Sequence, residues 1–434
     1  MEIRSSEIKM NRRYFLPTAL GALTTARRAV AASDKINIVL MGVRGRGRSL
    51  TKAFCDQPDV NVTHVCDVDQ NVVDGAYNII EDSGRKRPPL VADLRRCLED
   101  KTVDAIVMGT PIHWHAPGTI LACNAGKDVY VEKPISHNIL EGRLMVEAAR
   151  RNRRIVQAGT QLPSLPAAQA FQDYVQSGKL GRVLMAKVWN VQLRRSIGHK
   201  EDEPVPAGVD YEIWTGPLPK LPFNRNRFHS TVNWHWHYGV GDIGNDGVHQ
   251  LDMACRALGV TSPNRVSGMG RKVYFDDDQQ TPDTMNITYE FQDKLISFEQ
   301  RLWNPYGLEG CDNGVAVYGD RGAAQIGRFR GQNFGYRVMD DKGAVIHSEE
   351  HGSTSIDLPH VRNFLDCIRS RQKPRVEIEE GHWATSLAHL GNIVARTGRP
   401  IRFDDKSETV VGDAEANKLV RREYRSHWSR PAGV

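Results

Sequence analysis

Residues 36–50, INIVLMGVRGRGRSL, decide how the first third of the chain reads. An apolar run from Ile36 to Met41 stops at Gly42, and helix-forming sequence resumes a few residues later. A buried strand that enters a glycine turn and then a helix brings the backbone close to a pyrophosphate at the helix N-terminus. Glycine usually holds the first, third and sixth places of such a turn; here those places are Gly42, Arg44 and Gly47. Arg44 is a departure, offset by Gly45 beside it, and it brings to the loop a cation of its own for a phosphate. The stretch predicts a dinucleotide site contacted by Gly42, Arg44, Gly45, Arg46 and Gly47.

Outward from the loop, the next strand ends at Asp67 in HVCDVD, about twenty residues on, where a carboxylate accepts from ribose hydroxyls. That carboxylate disfavours a 2'-phosphate, so NAD is expected, with NADP left open by Arg44 and Arg46; Asp at a strand end is also a common turn residue. Apolar runs VDAIVMGT and DVYVEKP alternate with helical stretches, the pattern of a parallel sheet covered on both faces. After Gly159 the texture changes to longer alternating runs, such as MNITYEFQDKLISFEQRLW, with turns rich in Gly, Asp and Asn. These predict a mainly antiparallel or mixed sheet, followed by helices over 358–371 and 380–396. The expected fold is therefore α/β: a doubly wound Rossmann domain over 33–158, an α+β domain with an open sheet over 159–403, and a tail over 404–434.

The chain has 434 residues and a net charge of +6, and the charge is concentrated before residue 32. There Arg4, Lys9, Arg12, Arg13, Arg27 and Arg28 face only Glu2 and Glu7, and the rest of the chain mixes signs, so nucleic-acid binding loses its electrostatic footprint. The same segment reads as an export leader over 1–32. Paired Arg12 and Arg13 precede an apolar run from Tyr14 to Leu23, and AVAA closes it at Ala32, the order of a twin-arginine signal. Pro17 in the run and Arg27–Arg28 near its end depart from that order, and an amphipathic first helix is the alternative. No later stretch is long and apolar enough for a membrane span, so no stable insertion is expected after cleavage. Seven cysteines without paired spacing read as buried thiols, in keeping with a chain folded in a reducing cytoplasm before export to the periplasm.

Two further motifs, MGTPIHWHAP (108–117) and DVYVEKPIS (128–136), follow the fourth and fifth apolar runs. Together with the loop they resemble the glucose-fructose oxidoreductase, inositol dehydrogenase and MocA (Gfo/Idh/MocA) family, over Ile36 to Trp428, and the leader resembles its secreted twin-arginine members. The resemblance implies that the two strand ends flank a nicotinamide, with Thr110, Pro111, His113, Trp114, His115, Glu132, Lys133 and Gln161 at the cofactor and Lys133 as catalytic lysine. Chemistry agrees, because a lysine at the carboxyl end of a parallel strand stands in the ligand crevice and can exchange a proton with a hydroxyl there.

In NWHWHYGVGDIGNDGVHQLDMACRALG (233–259), a helix from about Asn245 places Asp242, Asn245, His249, Asp252 and Arg256 on one face at three- and four-residue steps. By resemblance, His249 works with the lysine. Family members commonly carry an aspartate four residues before that histidine; here the place is Asn245, with Asp246 next to it. The catalytic set expected is Lys133, His249, Asn245 and Asp246, and the substrate set Trp236, His237, Asp242, Asp252 and His382. Asp252 is equally suited to an i,i+4 pair with Arg256. His235 and His237 alternate as strand ligands would, but no third ligand stands out, and no metal is expected.

These readings converge on an NAD(P)-dependent oxidoreductase acting on a hydroxyl of a sugar, glycoside or cyclitol, expected as a homodimer or homotetramer by resemblance. Export favours a cofactor carried in the folded protein and a redox-neutral cycle. Redox-assisted glycosidic cleavage or epimerisation, and a non-catalytic sugar-binding protein of the same fold, are the alternatives.

Overall fold

The computed structural model describes residues 35–329, 334–350 and 355–433, so the expected leader over 1–32 lies outside the described residues. The first sheet has six strands, β1 (Ile36–Met41), β2 (Val60–Cys66), β3 (Leu90–Val91), β4 (Ala105–Met108), β5 (Asp128–Val131) and β6 (Val156–Ala158). All pairs are parallel, in the order β3-β2-β1-β4-β5-β6. The apolar runs read from the sequence explain this: β4 and β5 are buried along their whole length, as a sheet covered on both faces requires. Helices α1 (Arg46–Cys55), α2 (Asp74–Asp82), α3 (Leu94–Glu99), α4 (His115–Asn124) and α5 (Ile139–Asn152) connect the strands. Strand order reverses between β1 and β4, which opens the crevice where doubly wound sheets hold ligands.

The second sheet has ten strands in the order β14-β13-β12-β11-β7-β10-β9-β8-β15-β16. Its strands are β7 (Val183–Val191), β8 (Arg265–Arg271), β9 (Thr284–Glu290), β10 (Leu295–Arg301), β11 (Cys311–Gly319), β12 (Gly322–Phe329), β13 (Phe334–Asp340), β14 (Val345–Glu350), β15 (Ile401–Asp404) and β16 (Thr409–Val410). Within this second sheet only β7 and β10 pair in parallel among the described residues. Alternation does the work in β9, where Met285, Ile287 and Tyr289 are buried and the residues between them are not. Helices α6 (Pro166–Gln176), α8 (Val248–Leu258) and α10 (Ile378–Thr397) cover that buried face, with Phe171, Leu251 and Leu387 in one core with the sheet. Short helices α7 (Tyr211–Thr215) and α11 (Ala414–Leu419) complete the set with α9 (Asp357–Ser370).

After the second sheet, α9 returns to the first domain. Phe364 meets Tyr130 and Phe54 edge-on, with centroids 5.8 and 6.3 Å apart. One continuous cut near 158 therefore does not separate the two cores, and Asp357 at the start of α9 reaches the glycine loop. All seven cysteines are free and buried. No helix among the described residues is long and apolar enough to cross a membrane.

Candidate active site

A cavity of about 410 Å³ opens at the carboxyl ends of β1 and β4, between the two domains. Its first wall is built from main chain. A Cβ on Gly47 would lie 1.8 Å from the Gly42 carbonyl oxygen, so only glycine lets α1 approach β1 this closely. Gly45 enters α1 at φ 51, and nothing lies within 4 Å of where its Cβ would be. Asp67 lines the same wall, accepting from the N–H of Val43 at 2.9 Å and of Asp69 at 3.0 Å; burial pushes its carboxyl above the usual range. His115 sits between the carbonyls of Pro134 and Thr110, at 2.7 and 2.9 Å, and so ties together the two strand ends that the TP and EKP motifs mark. Burial lowers its pKa; the neutral ring donates to only one of the two at a time.

The second wall is built from side chains. The turn before α8 is π-helical over Ile243–Gly247, a feature common at functional sites. It presents the main-chain carbonyl of Asn245 to the Lys133 ammonium, which donates to it across the cavity. The Asn245 amide donates to Asp242 at 3.0 Å and accepts from Asn233 at 3.3 Å. Arg194, just past β7, bridges Asp242 at 2.9 Å and Asp246 at 3.2 Å. Asn190 and Gln192 donate to the same two carboxylates. Burial raises the Asp242 pKa against the pull of Arg194.

The structure brings Gly42, Arg44, Gly45, Arg46, Asp67, Thr110, Pro111, Trp114, His115, Glu132, Lys133 and Asn245 to this cavity. Other expected site residues lie elsewhere. Gly47 packs beneath the loop rather than lining it. Arg46 borders the cavity, but its guanidinium is spent on Glu132 at 2.8 Å and, in a fork, on Asp357 at 2.7 and 2.8 Å. His113 is fully buried, its Nε2 donating to the Trp214 carbonyl at 2.7 Å. Gln161 is buried at the turn Leu162–Ser164 and does not reach the cavity.

The expected polar face of one regular helix is broken by the π-helical turn, whose extra residue per turn shifts the spacing. Asp242 is therefore buried beneath the wall, and Asp246 is held by Arg194 and Gln192 beside it. His249 stands behind Lys133 outside the lining; burial, with the charges of Lys133 and Arg46, keeps its imidazole neutral, and its Nδ1 has no partner among the described residues. Asp252 pairs with Arg256 at 2.9 Å, and His382 with Glu408 at 3.1 Å, both away from the cavity. Trp236 and His237 line a second cavity. Three residues that the sequence reading did not single out, Arg194, Asn233 and Asp357, complete the site. Arg194 follows an apolar strand and gave a local signal, a strand-end cation; Asp357 lies 311 residues from Arg46 and gave none.

The lining fits a dinucleotide. Open space stands over Gly45 at a helix start, a carboxylate stands at the end of β2, and the buried Thr110 hydroxyl has no partner among the described residues. Comparison with known proteins agrees. Residues 36–160 match the family model described as oxidoreductase family, NAD-binding Rossmann fold, and residues 170–297 and 350–430 match the model of the same family's C-terminal alpha/beta domain. A glycosyl hydrolase family 109 protein from Shewanella pealeana is 26% identical over 175 residues, 34% of this chain and 38% of that protein. One from Saccharopolyspora erythraea is 31% identical over 130 residues, 29% of this chain and 28% of that protein. The matches thus span well under half the length of these relatives. Among solved structures, the aldose-aldose oxidoreductase from Caulobacter crescentus in complex with glycerol has TM-score 0.63 at 17% identity, covering 85% of this chain and 100% of that one. The WlbA dehydrogenase from Bordetella pertussis in complex with NADH and UDP-GlcNAcA has TM-score 0.62 at 17% identity, covering 85% and 99%. At such identity the likeness is one of fold.

Proposed function

Because this chain belongs to the Gfo/Idh/MocA oxidoreductase family and carries its NAD-binding Rossmann fold, we propose that it oxidises a hydroxyl of a sugar, glycoside or cyclitol beside Lys133. The observation that carries the reading is that Lys133 stands in one cavity with the glycine loop, Asp67 and the polar wall of Arg194 and Asn245. NAD, when bound, supplies a hydride acceptor. The chain's own residues do the rest: Asp67 offers an acceptor to a ribose hydroxyl, Lys133 is held toward the cavity by the Asn245 carbonyl, and Arg194 and Asn233 offer donors to substrate oxygens. The neutral His249 imidazole behind Lys133 is the acceptor for the departing hydroxyl proton, and the Lys133 ammonium can relay that proton to it.

We further propose export through the leader over 1–32 and a cofactor retained through a redox-neutral cycle, in which the hydride taken from one carbon returns to another. The name shared by the Shewanella and Saccharopolyspora relatives favours a second form of that cycle, transient oxidation that permits glycosidic cleavage.

The test is to purify the protein without added nicotinamide, denature it and identify what is released. Near-stoichiometric NAD supports the retained cofactor. Empty protein that reduces added NAD steadily with one sugar overturns the cycle, and failure to bind any nicotinamide overturns the oxidoreductase reading.

A further inference from the structure

Trp236 and His237 line a second cavity of about 430 Å³, separate from the first, between the end of α10, the start of α5 and the stretch after α11. Its walls carry four cations, Arg396, Lys418, Arg421 and Arg422, against one lining carboxylate, Glu423. Arg422 has Glu141 at 2.7 Å as its counterion. Arg396, Lys418 and Arg421 have no ion-pair partner among the described residues, and the Arg396 guanidinium lies 4.9 Å from the centroid of the Trp236 ring.

The buried polar groups point the same way. The Arg422 side chain is nine-tenths buried, yet its Nε and Nη1 have no acceptor among the described residues. Unsatisfied buried donors are costly, so an arginine with two of them at one cavity calls for an acceptor-rich occupant. The three histidines of the cavity, His137, His237 and His389, cannot offset the charge, since neutral imidazoles carry none and burial beside Arg422 keeps them neutral. Each also spends a ring nitrogen inside the protein, on the Trp236 carbonyl, the Pro219 carbonyl and the Ser136 hydroxyl respectively.

We propose that this second cavity binds an anionic sugar, its ring against the face of Trp236 and its phosphate or carboxylate among Arg396, Arg421 and Arg422. An indole face suits the apolar side of a pyranose ring, and a guanidinium forks onto either kind of oxyanion. The site is distinct from the cofactor cavity: the His113 residue stands between them, its carbonyl accepting from Arg422 at 3.3 Å while the adjacent Trp114 lines the first.

Isothermal titration of the full-length protein, with and without saturating NAD, tests it with four probes: glucose 6-phosphate, glucuronate, glucose and inorganic phosphate. The expected result is that at least one of the two anionic sugars binds, more tightly than glucose or phosphate alone, less tightly as salt rises, and equally with or without NAD. Which one binds identifies the head group. Arg396→Ala and Arg421→Ala, both at exposed positions, each weaken that binding by roughly tenfold or more, as loss of a charge-assisted contact requires, and leave NAD binding unchanged. Failure of both anionic sugars to bind overturns the proposal. So does binding that survives both substitutions, competition with NAD, or phosphate binding as tightly as glucose 6-phosphate.

Discussion

The two walls of the cofactor cavity are held in shape by different parts of the chain. On the Rossmann side, the partners are main-chain groups: Gly47 lies against the Gly42 carbonyl, and the His115 ring joins the carbonyls of Thr110 and Pro134. On the opposite side, side chain meets side chain: Arg194, Asn190 and Gln192 hold Asp242 and Asp246, and Asp242 holds Asn245. A wall of the first kind is sensitive first of all to an added methyl group. One of the second kind is sensitive to charge and tolerant of shape.

Lys133 is the residue that crosses between them, and its loss gives the largest effect. Lys133→Ala is expected to lower kcat by about 10²–10⁴-fold, the range for removing a proton-transfer group, with the melting temperature almost unchanged. Steady-state rates on the sugar found to be a substrate, with a melt of the same protein, check it. Activity retained within a few-fold would remove Lys133 from the chemistry.

Next come substitutions that break one wall at a time. Arg194→Ala leaves Asp242, fully buried, without its cation, and breaking such a pair costs about 3 kcal/mol. Adding Asp242→Asn should recover most of that loss, because the amide needs no counterion; urea melts of the single and double variants decide it. Gly47→Ala should cost about 1–3 kcal/mol through overpacking against the Gly42 carbonyl, and should weaken NAD binding by more than it lowers stability, since the loop itself must shift. A Gly47→Ala protein that binds NAD normally would show that the loop has slack the geometry does not reveal.

The contrast between the walls also explains what could be read from the sequence. Main-chain geometry leaves glycines, prolines and strand ends at fixed spacing, so the loop, Asp67, the TP and EKP strand ends and the parallel sheet were all legible. A network of side chains leaves no such trace. Arg194 and Asp242 are 48 residues apart and meet only because β7 and the π-helical turn do. That turn also upset the helical spacing by which Asp242 and Asp252 were expected to face the substrate. Trp236 and His237 were recognised as ligand-facing types, but which cavity they face depends on the path of a loop, which no periodicity encodes.

Taken per pH unit, the remaining effect is the pH dependence of stability, and it comes from buried histidines of both domains. His113 and His389 are pushed down to about 3 and His360 to about 4, in each case by burial. Each donates or accepts a hydrogen bond inside the protein: His113 to the Trp214 carbonyl, His360 to the Ala158 carbonyl, His389 with the Ser136 hydroxyl. In the unfolded chain these rings titrate near 6.5, so below that pH the unfolded state binds more protons than the folded one. Their contribution is therefore complete above about pH 6.5 and is lost as pH falls toward 3–4, at about 1.4 kcal/mol per pH unit for each histidine. Urea melts between pH 7 and 5 should show that loss, and His360→Asn should flatten the slope by about one histidine's share. An unchanged slope in the variant would mean that His360 is already protonated in the folded protein, and that its place between the Ala158 carbonyl and Ser164 is held by charge rather than by a neutral ring.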